Sequence, residues 1–105
     1  MPTKISFLYD NPAEPDAFEA GLPALLEQSK KIPGLMRIDS SRVWEKEDGT
    51  ETPLYRIVNL YFDDYASASA AVVTAEAGEL FPGVFGLATG GVRIAFADIE
   101  VDETM

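Results

Sequence analysis

The residues in this chain best suited to holding a small molecule are Tyr9, Trp44, Asn59 and Tyr61. Each lies in a stretch with the alternation of a β-strand. There an aromatic ring can wall a ligand site, and a phenol or amide can donate to a developing oxyanion. Strand aromatics more often simply pack, because they suit half-buried pleated surfaces. Tyr9 and Tyr61 stand out because their strands should be central, where a hydroxyl needs a partner. Asn59 shares Tyr61's side of its strand, and Tyr55 carries a third phenol nearby. Arg56 is the discordant residue on an otherwise apolar strand face. It is either an anion clamp or half of an ion pair with an acid such as Asp39. No residue can be assigned a catalytic role from its spacing.

The chemistry open to these groups is narrowed by what the chain lacks. It has no histidine and no cysteine, which removes the side chain that titrates unperturbed near neutral pH, thiol nucleophiles and zinc-thiolate sites. Paired carboxylates occur at Asp63-Asp64, at Glu76 and Glu79, and in the tail, but they fall in turns and at helix starts, where capping accounts for them. The tail acids lack the spacing and central glycine of a calcium loop, so no metal is expected. Gly83, Gly86, Gly90 and Gly91 have no following Lys-Ser pair, so they do not form a phosphate loop. They read as an irregular lid-like segment, either a hinged pocket entrance or a plain packed connection.

With 105 residues, 47% of them hydrophobic and 25% charged, the composition is that of a single globular domain over residues 1–105. A net charge of −10 opposes binding to nucleic acid or anionic membranes, both of which call for basic faces. No apolar run approaches the roughly 18 residues of a membrane span, and the N-terminus has no secretory pattern. The expected location is the cytoplasm.

The elements that must position these residues follow from periodicity. Alternation predicts a strand over 4–9, ended by Asp10-Asn11-Pro12. Phe18, Leu22, Leu25 and Leu26 predict an amphipathic helix from about Asp16 to Pro33-Gly34, with Pro23 imposing a late start or a kink. A second strand is expected over 35–46 and an Asp48-Gly49 hairpin loop after it. The strongest strand follows, over 54–62. A helix should begin at Asp63-Asp64 and end near Ala71, and a fresh one should start at Thr74. After Gly90-Gly91 comes a last strand over 92–99. The order βαββαβ is that of the ferredoxin-like, split βαβ unit. It is an α+β fold, an antiparallel sheet with the helices on one face.

That layout leaves one sheet face bare. The strand over 54–62 is apolar on both sides, with Val58, Leu60 and Phe62 on one and Tyr55, Ile57 and Tyr61 on the other. A sheet with one solvated face alternates more cleanly. A second copy packing sheet on sheet, a homodimer, is the simplest cover.

Three segments together resemble the EthD family, named for ethyl tert-butyl ether degradation. They are Lys4-Ile5-Ser6-Phe7-Leu8-Tyr9 with its Pro-rich turn and Phe18-Glu19-Ala20, then Ile32-Pro33-Gly34-Leu35, and Tyr61-Phe62-Asp63-Asp64. The resemblance spans nearly the whole chain. It implies a dimeric α+β barrel and, through the wider superfamily, cofactor-independent oxygenase, isomerase or cyclase chemistry on a small hydrophobic metabolite. Under that implication no cofactor is expected, and Tyr9, Trp44, Asn59 and Tyr61 would line an apolar pocket in each protomer. Many family members carry histidines on the first helix. Here the matching stretch reads Gly21-Leu22-Pro23-Ala24-Leu25, so a histidine-dependent mechanism or a haem ligand does not carry over. The alternative is a non-catalytic accessory or binding protein.

Overall fold

The computed structural model describes residues 1–105. The elements are β1 (Thr3–Tyr9), α1 (Pro15–Ser29), β2 (Arg37–Arg42), β3 (Arg56–Phe62), α2 (Tyr65–Ala71), α3 (Ala75–Leu87) and β4 (Val92–Asp98). The four strands form one sheet in the order β2-β3-β1-β4, and all three pairings are antiparallel. This is the ferredoxin-like arrangement expected from the order of elements.

Strand alternation sets the two faces. Thr3, Ile5, Phe7 and Tyr9 of β1 are buried beneath the helices, as are their register partners Val58, Leu60 and Phe62 of β3. Phe7 meets Phe81 of α3, Tyr9 meets Phe18 of α1, and Phe96, opposite Ile5, meets Tyr65 of α2. All three helices therefore cover the same face. The other face carries Ser6 and Leu8, Asp39 and Ser41, Ile57, Asn59 and Tyr61, and Ala95 and Ala97, with no layer over it.

Local sequence explains most of the elements. Pro15 opens α1 where its missing N–H is not needed. Asp64 accepts from the Ser67 amide at 2.8 Å and Thr74 from the Ala77 amide at 3.2 Å, capping α2 and α3 as expected. The two helices meet at 80°, so the second helical region is broken in two. Chain reversal before β4 needs glycine twice. Gly91 has φ +106°, and a Cβ on Gly90 would collide with the Asn11 carbonyl.

Three expectations are corrected. Helix α1 starts at Pro15 and runs unbroken through Pro23, because burial of Phe18, Leu22, Leu25 and Ser29 on both sides of the proline outweighs a local propensity cost of about 3 kcal/mol. Gly83 and Gly86 lie inside α3 rather than in an irregular lid. At Gly83 the absent side chain lets α3 approach Leu25 of α1, where a Cβ would stand 3.3 Å from Cδ1. Strands β2 and β3 are shorter than the sequence pattern suggests. Their pairing continues only as far as the bond from the Val43 amide to the Tyr55 carbonyl, and Pro53 has no N–H to extend it.

Candidate functional site

The four residues singled out in the sequence do not converge. Tyr9 is fully buried in the helix–sheet core, its ring edge-on to Phe18 at 4.9 Å, and its hydroxyl donates to the Val84 carbonyl at 3.1 Å. Burial holds this phenol protonated far above the ordinary tyrosine range. Around it Phe7, Phe18, Phe62, Leu80 and Val84 are also almost completely buried. The helix–sheet interior expected to hold an apolar pocket is filled by side chains at Tyr9. Trp44 lies beyond the end of β2 and is 91% exposed. The hollow beside it is formed by Arg42, Val43, Trp44 and Glu45 alone, with no opposing wall.

Asn59 and Tyr61 do come together, on the uncovered face. Both donate to Asp39, the Asn59 amide to Oδ1 at 2.9 Å and the Tyr61 hydroxyl to Oδ2 at 2.7 Å. Ser6 Oγ donates in turn to Asn59 Oδ1. The Arg37 guanidinium sits 3.8 Å above the Tyr61 ring and donates to Asp39 Oδ2 at 3.3 Å. Partial burial and then the Asp39 bond raise the Tyr61 pKa, with Arg37 acting in opposition. Register accounts for the grouping, since Asp39 is opposite Asn59 and Arg37 opposite Tyr61. Asp39 acts as the hub of this network. In the sequence it appeared only as a partner for Arg56.

Arg56 is instead held from the helix side. Its NH2 donates to both Glu19 oxygens of α1 at 3.1 Å, and NH1 donates to Ser40 Oγ at 3.2 Å. The ion-pair reading stands, with Glu19 rather than Asp39 as the acid. Arg56 follows Tyr9, its register partner, onto the covered face, whereas Asp39 lies on the other. Tyr55 is corrected too. Strand alternation places it on the bare face, but it precedes the regular strand and turns towards α1. Its ring lies edge-on to Phe18 at 5.2 Å, and its hydroxyl donates to Glu19 Oε1 at 2.6 Å. The Tyr55 bond, then Arg56, hold the Glu19 carboxyl below its usual range, while burial and Glu19 raise Tyr55.

Glu19 and Ser40 of this cluster line a groove between α1 and β2, of about 370 Å³, with Leu22, Pro23, Leu26 and Ile38 as apolar walls and Glu27, Lys30 and Asp39 as further charged groups. Its size and mixed lining fit a small-molecule site. Glu19 was legible only as part of a family-like segment, because nothing in its spacing marks it as Arg56's partner 37 residues away.

No family model matches the chain. It is 28% identical over 102 residues to an uncharacterised 11.0 kDa protein from the thcB–thcC intergenic region of Rhodococcus erythropolis, an alignment covering 92% of this chain and 94% of that one. Among solved structures, an EthD family protein from Bacillus halodurans superposes with a TM-score of 0.85 at 24% identity, over 94% of this chain and 99% of that one. SnoaB, a cofactor-independent oxygenase from Streptomyces nogalater, gives 0.66 at 13% identity, over 96% and 94% of the two chains. A dimeric ferredoxin-like protein of unknown function from Thermobifida fusca gives 0.68 at 15% identity, over 94% and 92%. The chain thus has the ferredoxin-like α+β fold, which it shares over 94% of its length with that EthD family protein.

Proposed function

We propose that the protein is an EthD-like homodimeric α+β barrel that holds a small, mainly apolar metabolite in the α1–β2 groove of each protomer. The groove carries the reading, because it joins an apolar wall to a fixed, ionised Glu19 and a hydroxyl, Ser40. Support for the dimer comes from the bare sheet face, where Leu8, Ile57, Ala95 and Ala97 have no covering layer, and from neighbours of the same fold described as dimeric. On this reading Asn59 and Tyr61 lie at the interface between sheets, Trp44 projects from its margin, and Tyr9 is a core residue.

If the groove performs chemistry, it does so by orienting a molecule that is already reactive, as the description of SnoaB as cofactor-independent suggests. Binding without turnover is the second reading, and one observation favours it. The two groups at the groove end whose acidity is shifted move away from neutrality, Glu19 downward and Tyr55 upward, so neither is tuned for general acid–base work. Native mass spectrometry of the protein purified gently from cells tests both parts. A dimer carrying a small apolar molecule supports the reading. A monomer overturns the barrel, and a ligand-free dimer that also fails to take up small aromatic probes overturns the groove.

A further inference from the structure

We propose that the ligand of the α1–β2 groove is an apolar molecule bearing a hydroxyl group, a phenol or alcohol, whose O–H donates to Glu19 Oε2. This rests on the reading of the groove as the ligand site, and it names what that site selects. A carboxylate offers about four acceptor positions. Tyr55 and Arg56 occupy two on Oε1, and Arg56 occupies one on Oε2, so one acceptor position on Oε2 has no protein donor. The Arg56 side chain is 13% exposed and that of Glu19 is 40% exposed, so the carboxylate is gripped from the protein side and opens towards the groove it lines.

The surroundings decide which polar group fits. Of the cations nearby, Arg56 is engaged by Glu19 and Ser40 and Lys30 by Glu27 at 2.8 Å, while Arg42, which also acts on Glu19, lies outside the lining of the groove. A carboxylate ligand would meet three carboxylates in the lining, Glu19, Glu27 and Asp39, against one lysine, Lys30. An ether would set one acceptor against another and leave both without a donor. A hydroxyl meets the remaining Oε2 position as a charge-assisted hydrogen bond, while Leu22, Leu26 and Ile38 cover an apolar body.

The test is an NMR titration of the intact protein at neutral pH with three probes of one shape, para-cresol, its methyl ether para-methylanisole and the carboxylate para-toluate. The readout is the amide shifts of Leu22, Leu26, Ile38 and Ser40. Cresol is expected to bind about tenfold or more tighter than the ether, with toluate weakest. In Glu19→Gln the cresol preference should shrink and toluate should gain. The comparison in the native protein stands without the variant, so a folding defect in Glu19→Gln does not decide the matter. Ether binding as tightly as cresol, or toluate binding more tightly, overturns the hydroxyl preference and leaves the groove as a binding site. Shifts at none of these amides with any probe remove the groove itself, and the proposal with it.

Discussion

Tyr9 shows how a residue suited to chemistry is put to structural use. Its ring fills the core and its hydroxyl satisfies the Val84 carbonyl. Tyr9→Phe should cost about 1 kcal/mol at neutral pH, the usual worth of one such bond. The effect should depend on pH in a definite direction. In the unfolded chain the phenol loses its proton from about pH 10, whereas in the folded protein it stays protonated to higher pH. Its contribution is therefore full below about pH 10 and falls as pH rises above that point. Urea titrations at neutral pH and near pH 11 should show the gap between native and Tyr9→Phe protein narrowing at the higher pH. An unchanged gap would mean that the buried phenol is not the group responsible.

At the scale of elements, glycines of similar appearance have different duties. Gly78 is exposed within α3, and a Cβ there meets nothing, so Gly78→Ala should stabilise the protein by about 0.5–1 kcal/mol through helix propensity alone. At Gly90 a Cβ would strike the Asn11 backbone, so Gly90→Ala should destabilise by at least about 2 kcal/mol. Thermal melts of the two variants should move in opposite directions. Equal shifts would contradict the close approach of the β4 turn to the segment after β1. The proline in α1 teaches the same lesson from the other side. Propensity at Pro23 argues for a break, yet the apolar stripe of Phe18, Leu22 and Leu25 on both sides of it keeps the helix whole.

The whole molecule is a slab of 40 × 37 × 18 Å, one helical layer on one sheet. No single helix in it is long and apolar enough to cross a membrane. Its bare face is broad enough to supply the roughly 600 Å² per partner of a small stable interface. Ile57→Asp, on that face beside Leu8 and outside the core, should convert a dimer into a monomer in sedimentation analysis while leaving the circular dichroism spectrum unchanged. If the variant remains dimeric, the interface lies elsewhere, for instance along the edge strand β4.

The sequence by itself determined the order of elements, the caps at Asp64 and Thr74, the alternation of β1 and the turn at Gly90-Gly91. These depend on contacts within a few residues or on the two-residue period of a strand. Only the tertiary structure decided that Arg56 pairs with Glu19 rather than Asp39, that Tyr55 leaves its expected face, and that Asn59 and Tyr61 share Asp39 while Tyr9 serves Val84. Each of those choices joins residues separated by 20 to 75 positions. They depend on which strands lie side by side, in which register, and which helix crosses above them, and local propensity carries no information about any of the three.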